Sequence, residues 1–514
     1  MLEPHNLGDI LRLPVLADRL AYIDLRDLRH PRALSVQELD HLVAAVAGGL
    51  LVRGVRRGDR IGIVAENRLE FIAAYLGIMR IGAVAVPVNY RLPPATVAHV
   101  FRDSEICLAF ADAARAALVP AGVRIVDFDS DGADGFEALL HRGPIAAVVP
   151  DEHEVAEILY TSGSTGVPKG VPLTHRGQLW ALANYYCALG SDTPAGSTLV
   201  VAPLYHMNGL FFTTVALANR VTVISQARFD ARLYLQTVAR YRCTILSGIP
   251  TMFALMVRER ELAAQLNFDS VSEVSIGSAP LTDTLLQKVR GLFARAVVKN
   301  GFGTTEAGPA VFGPHPLGLR SPPLAFGYPL PGVQWQLMDG RSVHEGVLAL
   351  RTPALMNGYL NLPEVTADRM RDAWYVTGDI MRRDANGFFY FVGRADDMFV
   401  CGGENIYPTE VEKMLERHAH VHQAVVVPAP DDIKGQIPVA FIVPQHGVRA
   451  SVDEIRRYAL ANGPPYAHPR LIVFRDQLPI AGTHKIDRAS LIAEAARLSS
   501  EMGRASPTGQ PGSR

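Results

Sequence analysis

Cysteine is scarce, with four in 514 residues at Cys107, Cys187, Cys243 and Cys401, and their spacing is neither paired nor metal-like. That argues against a disulfide framework and favours a reducing compartment. An excess of charge is also missing: 50 lysines and arginines face 51 acidic residues, for a formal net charge of −1. No basic stripe marks a nucleic-acid partner. No stretch approaches the roughly 20 consecutive apolar residues that a membrane span needs. The opening Met1-Leu-Glu-Pro-His5 has no basic segment followed by an apolar one, and Pro511-Gly-Ser-Arg514 is not a peroxisomal address. A cytoplasmic protein is the expectation. What is present is ample apolar content, 48% hydrophobic against 20% charged, enough for large cores. The length suggests about three or four structural units.

Apolar runs alternate with helix-length segments. Arg60 to Ala65 and Gly82 to Pro87 read as strands around a helix at Arg68 to Arg80. The pattern returns at Ser197 to Ala202, Val221 to Ser225, Cys243 to Ser247 and Glu273 to Ile276. This is the texture of α/β layers with largely parallel sheets. From about Leu330 shorter strands and turns take over, at Val333 to Leu337, Gly346 to Leu350 and Gly387 to Val392, predicting a small barrel-like part. After Arg394 a compact α+β segment follows. It has helices at Glu410 to His418 and Val452 to Ala461, and strands at Ala424 to Val427 and Val439 to Val443. The expected organisation is a large N-terminal domain over 1–393, a small mobile domain over 394–498 and a disordered tail over 499–514.

Five segments carry chemistry. Thr161-Ser-Gly-Ser-Thr-Gly-Val-Pro-Lys-Gly170 places hydroxyls, glycines and one lysine directly after Glu157-Ile-Leu-Tyr160. Glycine lets backbone amides approach a phosphate, hydroxyls add donors and lysine adds positive charge. The spacing is not that of a Walker loop, and alone such a stretch is ordinarily a surface loop. Asn300-Gly-Phe-Gly-Thr-Thr-Glu306 follows the apolar Ala296-Val-Val298, where a loop beyond a strand's carboxyl end would bind ligand. Tyr375-Val-Thr-Gly-Asp379 offers a carboxylate after a tight turn. Gly393 to Pro408 combines charge with the pair Gly402-Gly403. Leu478-Pro-Ile-Ala-Gly-Thr-His-Lys-Ile-Asp-Arg488 carries a lysine near the end.

In this order the segments resemble the adenylate-forming superfamily of acyl-CoA synthetases, peptide-synthetase adenylation domains and luciferases. The resemblance runs from Val64-Ala-Glu-Asn67 to Arg488 and is of the acyl-CoA synthetase type. It implies two half-reactions, in which a carboxylate attacks the α-phosphate of ATP and a thiol then displaces AMP. It implies ATP, Mg2+ and coenzyme A. Thr161, Ser162, Gly163, Ser164, Thr165, Gly166 and Lys169 would cradle the β- and γ-phosphates. Thr305 would bond the α-phosphate, Glu306 would hold magnesium, and Thr304 lies in the same loop. Gly277, Ser278, Ala279, Pro280, Gly301 and Phe302 would flank the adenine, with Gly303 also among the cofactor-binding residues. Asp379 would accept the ribose hydroxyls, which suits an acceptor-only carboxylate, with Arg394 beside it. Lys485 would bridge carboxylate and α-phosphate in the adenylation transition state. Asp396 matches the hinge, and rotation there would exchange Lys485 for the Gly402-Gly403 loop along the pantetheine path. His484 departs from the family, which usually has glycine there.

For the acid, Pro203-Leu-Tyr-His-Met-Asn-Gly209 matches the segment where acyl-CoA synthetases place a gate, which makes His206 the gate candidate. Amino-acid-activating relatives carry an aspartate in this region; this chain has Met207 and Asn208. A buried ammonium without that partner would cost several kcal/mol. With Ile249, Met252, Ser278, Phe302, Gly303 and Gly308 the acyl pocket predicts a neutral, apolar acid, aryl or short-to-medium aliphatic. Only 29 residues follow Lys485, and no carrier domain fits them, so coenzyme A is the expected acceptor. A stand-alone ligase loading a separate carrier protein is the alternative, and a non-catalytic nucleotide binder is the third reading. A homodimer is left open.

Overall fold

The computed structural model describes residues 5–11, 18–143, 145–161, 167–189, 196–402, 404–448, 450–481 and 485–505. Internal contacts divide the chain into two compact units. The first comprises Met1–Ser278, Lys288–Gln336 and Ala349–Thr377; the second comprises Ala279–Gln287, Leu337–Leu348 and Gly378–Arg514. No described helix is long and apolar enough to cross a membrane.

Two sheets organise the first unit. One has seven strands in the order Val297–Gly301, Glu273–Gly277, Ile245–Gly248, Ser197–Val200, Thr222–Ser225, Leu20–Asp24 and Arg32–Ser35. The other has six, in the order Arg124–Asp127, Leu108–Ala111, Arg60–Val64, Val84–Pro87, Val155–Thr161 and Lys169–Thr174. Both are parallel apart from one antiparallel pair at an edge. The runs of valine, isoleucine and alanine form strands buried on both faces, as parallel sheets require. Helix Leu69–Arg80 is buried along its whole length, so its apolar residues occupy every face.

The second unit has its own core, built around the long antiparallel pair Val421–Asp431 and Gly435–Pro444. Strand Leu471–Phe474 adds in parallel to the free side of Gly435–Pro444, and Phe399–Cys401 meets the start of that same side at Gly435, with Glu404–Ile406 beyond it. Helices Pro408–Glu416 and Val452–Asn462 match the sequence expectation to within two residues at each end. Helix Arg488–Ala505, however, runs well into the segment expected to be a tail. Leu491 and Ala495 anchor it in the core, while Ser499 Oγ donates to the Pro430 carbonyl and Ser500 Oγ to that of Ala496. Serine content marked this stretch as tail, and those two hydroxyls are satisfied within the folded unit instead.

One buried carboxyl stands out in the first unit. Glu157 lies in strand Val155–Thr161 at 2% exposure and accepts a 2.9 Å hydrogen bond from Tyr75 Oη. Burial pushes its pKa from 4.5 up to about 7, and the Tyr75 bond only partly opposes this. The folded protein therefore binds a proton that the unfolded chain has lost between those values. The stability this gives is full below about pH 4.5 and declines as pH rises through about 7. Glu157→Gln is expected to remove up to about 3 kcal/mol of pH-dependent stability. Denaturant midpoints measured between about pH 5 and about pH 8 should fall for wild type and stay flatter for the variant.

Candidate active site

The carboxyl ends of parallel strands in the seven-stranded sheet lie side by side, with Gly248 registered opposite Ile276 and Gly277 opposite Gly301. From this one edge leave the chain segments bearing His206, Ile249 and Met252, Ser278, and Phe302 to Glu306. Ligands bind at such edges because the loops converge there while the strands fix their roots. The sequence assigned these segments to one site, and the first unit gathers them.

Thr161 and Lys169 are register partners, the last and first residues of antiparallel strands. The glycine-rich stretch is thus the connection of a hairpin. Its Ser162, Gly163, Ser164, Thr165 and Gly166 lie outside the described residues. Thr304 and Gly308 exchange backbone hydrogen bonds of 2.9 and 3.0 Å, and Thr304 Oγ1 accepts from the Ala307 amide. Gly303 is required inside this turn: a Cβ there would stand 2.0 Å from the Pro309 carbonyl oxygen. Thr305 is half-buried and Glu306 buried.

Tyr359, which the sequence reading passed over, ties these parts together. Its hydroxyl donates to Glu306 Oε1 at 2.9 Å, and Lys169 Nζ lies 5.2 Å from the centre of its ring. Burial, and then the Glu306 charge, hold the Tyr359 hydroxyl well above the usual phenol range, so it remains a donor. Its backbone neighbourhood does the same work. The Met356 amide donates to the Glu306 carbonyl and the Leu360 amide to that of Gly170, both at 2.8 Å. Residues 352–360 therefore strap the hairpin to the 301–308 loop. The only local signal was an aromatic residue following Asn357-Gly358.

On the acid side, His206 caps helix Met207–Ala218 without a side-chain capping bond. Tyr205 is buried between Tyr90, at 5.2 Å, and His206, at 4.7 Å. Asn208 Nδ2 lies 3.4 Å from Ser278 Oγ, and Ser278 holds the left-handed φ of 64°. Asn67 was quoted only as the start of the motif series. Its side chain donates to the Ala202 carbonyl and accepts from the Leu204 amide, each at 2.9 Å, and so pins the segment that presents His206. The Phe302 ring packs on Phe326 and Phe312, at 5.2 and 5.8 Å.

The second unit holds the remaining described candidates. Asp379 was expected after a turn but lies inside strand Trp374–Arg383, where Gly378 takes a φ of +77° and the ladder is irregular two residues on. It pairs with Arg394, whose Nη1 donates to Asp379 Oδ1 at 2.9 Å and whose Nη2 donates to Asp396 at 3.0 Å. Burial alone would depress that guanidinium, but the Asp379 charge and hydrogen bond, with Asp396, hold it above its ordinary range. Cys401 and Glu404 are register partners on antiparallel strands; Gly402 follows Cys401, and Gly403 lies outside the described residues. Ala279 and Pro280 also fall in this unit. Lys485 is exposed, its carbonyl accepting from the Ala481 amide at 2.7 Å. Three residues on, Arg488 donates to buried Glu412 at 2.7 Å and to the Val426 carbonyl at 3.1 Å. His484 lies outside the described residues.

Comparison with known proteins shows the family. The model for AMP-binding enzymes matches residues 15–360, and that for the AMP-binding enzyme C-terminal domain matches 410–485. The chain belongs to the AMP-binding enzyme family. It is 34% identical over 477 residues to a feruloyl-CoA synthase of an Amycolatopsis species, covering 88% of this chain and 92% of the relative. It is 30% identical to the fatty acid–[acyl-carrier-protein] ligase ScoC of Streptomyces coeruleorubidus, covering 90% and 91%. The fold superposes on the anthranilate CoA ligase AuaEII in complex with anthranoyl-AMP, with a TM-score of 0.87 at 24% identity over 97% and 99% of the two chains. The protein is an AMP-forming acid–thiol ligase of the acyl-CoA synthetase type, a class whose substrates are ATP and CoA.

Tyr359→Phe removes a hydrogen bond to a buried carboxylate, an interaction of about 1.5–3 kcal/mol. Acid-dependent pyrophosphate release should fall roughly 10- to 100-fold while the folded state persists by circular dichroism. An unchanged rate would mean that the bond does not support nucleotide chemistry.

Proposed function

We propose that this ligase activates a neutral, apolar carboxylic acid, with an aryl acid favoured, and transfers the acyl group to coenzyme A. The observation that carries the reading is the make-up of the segment beyond strand Ser197–Val200. Its described side chains are the rings of Tyr205 and His206, then Met207, and Asn208 within reach of Ser278. In the helix that begins at Met207, Phe211 and Phe212 pack edge-on to Tyr185, at 5.4 and 5.7 Å. Flat rings complement an aryl face. No aspartate or glutamate in this segment would neutralise an ammonium, and no lysine or arginine a second carboxylate.

The residues present suit the expected chemistry. Lys169, Thr161 and the hairpin turn are assigned to the β- and γ-phosphates, and Thr305 to the α-phosphate. Glu306 suits a hard cation: its carboxylate is buried and Tyr359 fixes one oxygen, which leaves Oε2 as the proposed magnesium ligand. Magnesium would supply charge neutralisation on the phosphates. Asp379 is assigned to the ribose hydroxyls with Arg394, and the adenine to Gly277 through Pro280 with Gly301 and Phe302. His206 is the proposed gate at the carboxylate. Lys485 stabilises charge that develops only as the acid attacks, Asp396 is the hinge, and Gly402-Gly403 borders the thiol's path.

A second reading, transfer to a carrier protein, is favoured by the likeness to ScoC. Pyrophosphate release and thioester formation across a panel of aryl, aliphatic, dicarboxylic and amino acids separate the cases. Aryl acids should turn over best, with thioester formed on free coenzyme A. Lys485→Ala should lose adenylation by about two to three orders of magnitude yet still form thioester from supplied acyl-adenylate. Best turnover of dicarboxylates or amino acids would overturn the acid assignment, and thioester formed only on a carrier protein would favour the second reading.

A further inference from the structure

Two histidines and a glutamate in the second unit play no part in the chemistry above. His418 and His420 lie between helix Pro408–Glu416 and strand Val421–Asp431, and Glu454 stands in the first turn of helix Val452–Asn462. One nitrogen or oxygen from each lies within 4.8 Å of the others. Glu454 Oε1 is 2.8 Å from His420 Nδ1 and 3.6 Å from His418 Nε2. Those separations bracket the roughly 3.3 Å between ligand atoms that each sit about 2.0–2.2 Å from a tetrahedral ion.

The three groups are held in place from behind. Glu454 and Ser451 form a reciprocal capping box, in which Oε2 accepts from the Ser451 amide and Ser451 Oγ from the Glu454 amide. That commits one carboxylate oxygen and aims the other at both imidazoles. The His418 ring packs edge-on to Tyr458, one helical turn beyond Glu454, at 4.7 Å. His420 Nδ1 is shielded from solvent and, despite its 2.8 Å approach to Oε1, lacks hydrogen-bond geometry to any described residue. A buried nitrogen close to a carboxylate but off the hydrogen-bond line suits a shared ion better than a shared proton.

We propose that His418, His420 and Glu454 bind one divalent transition ion of the zinc class, with water completing the coordination. Two imidazoles and one carboxylate select Zn2+, Co2+ or Ni2+ over Mg2+ and Ca2+, which prefer oxygen alone. The site shares no residue with the magnesium assignment at Glu306. His418 Nδ1 accepts the His420 amide at 3.2 Å, so in the metal-free ring the proton resides on Nε2. Loading the ion on Nε2 shifts that proton to Nδ1 and gives up the amide contact. The bound ion then links the 417–421 turn to the helix that carries Glu454 and stabilises the second unit.

Titration of the full chain with Co2+ alone tests this. The expected result is one ion per chain, visible absorption bands of tetrahedral intensity, displacement by Zn2+ and no displacement by excess Mg2+. His420→Ala and Glu454→Gln should each weaken binding about tenfold or more, whereas Lys485→Ala and Glu306→Gln should leave it unchanged. Circular dichroism checks that the variants fold, and the wild-type spectrum needs no variant. Absence of saturable binding below about 0.1 mM, or wild-type affinity in both ligand variants, would overturn the proposal.

Discussion

On the assigned roles, the buried hydrogen bond from Tyr359 to Glu306 is the contact on which the nucleotide half of the site depends. It joins loops from two different sheets. Lys169 begins the edge strand of the six-stranded sheet, Glu306 lies in the loop after the edge strand Val297–Gly301 of the seven-stranded sheet, and Tyr359 touches both. Main-chain bonds from Met356 and Leu360 make the same junction independently of side chains. A phosphate cradle needs its amides, its cation and its metal-binding carboxylate in a fixed relation, because phosphoryl chemistry relies mainly on positioning and charge. If Lys169, Thr305 and Glu306 have the roles proposed for them, one nine-residue strap sets that relation for the parts lying in the first unit.

Much of this was legible in the chain because the information is local. A glycine and hydroxyl run after an apolar strand, or Thr304-Thr305-Glu306 after Val297-Val298, keeps donor, turn and carboxylate within a few residues of one another. The alternation of apolar runs with helical segments gave the parallel sheets for the same reason. Tyr359 and Asn67 were hidden because their roles are set by partners 53 and 135 to 137 residues away. An aromatic after Asn-Gly, and an asparagine before a helix, have many ordinary explanations. Only the fold shows that one holds a carboxylate and the other pins the segment bearing His206. The C-terminal helix failed for the opposite reason: local composition suggested a tail, and tertiary burial of Leu491 and Ala495 outweighed it.

On the assigned roles, acid recognition and nucleotide recognition rest on different physics. The nucleotide side uses charge held by buried hydrogen bonds, which is costly to misplace. The acid side uses rings and a weak polar pair, Asn208 with Ser278, which discriminate by shape. Shape discrimination among apolar acids is modest, about 1–3 kcal/mol for each methylene. A family that keeps the first set and varies the second can change substrate without rebuilding its chemistry. The likeness of this chain to relatives named for an aryl acid and for fatty acids fits that division.

Within the second unit, Arg394 imposes a further constraint. One guanidinium donates at the same time to Asp379, assigned to the ribose, and to Asp396, assigned to the hinge. A guanidinium has five donors in a rigid plane, so it can serve both carboxylates only while they keep their present spacing. Asp379 sits on a strand kinked at Gly378, and Asp396 follows Arg394 by two residues on a chain leaving the paired strand. If Asp396 is the hinge, a change in its φ would carry its carboxylate away from Arg394 and lengthen or break the second bond, while the first can stay. On the assigned roles, ribose contacts that draw Asp379 or Arg394 out of this arrangement change the cost of turning the hinge. Nucleotide occupancy and hinge position are then linked through a single side chain, without any signal carried across the rest of the fold.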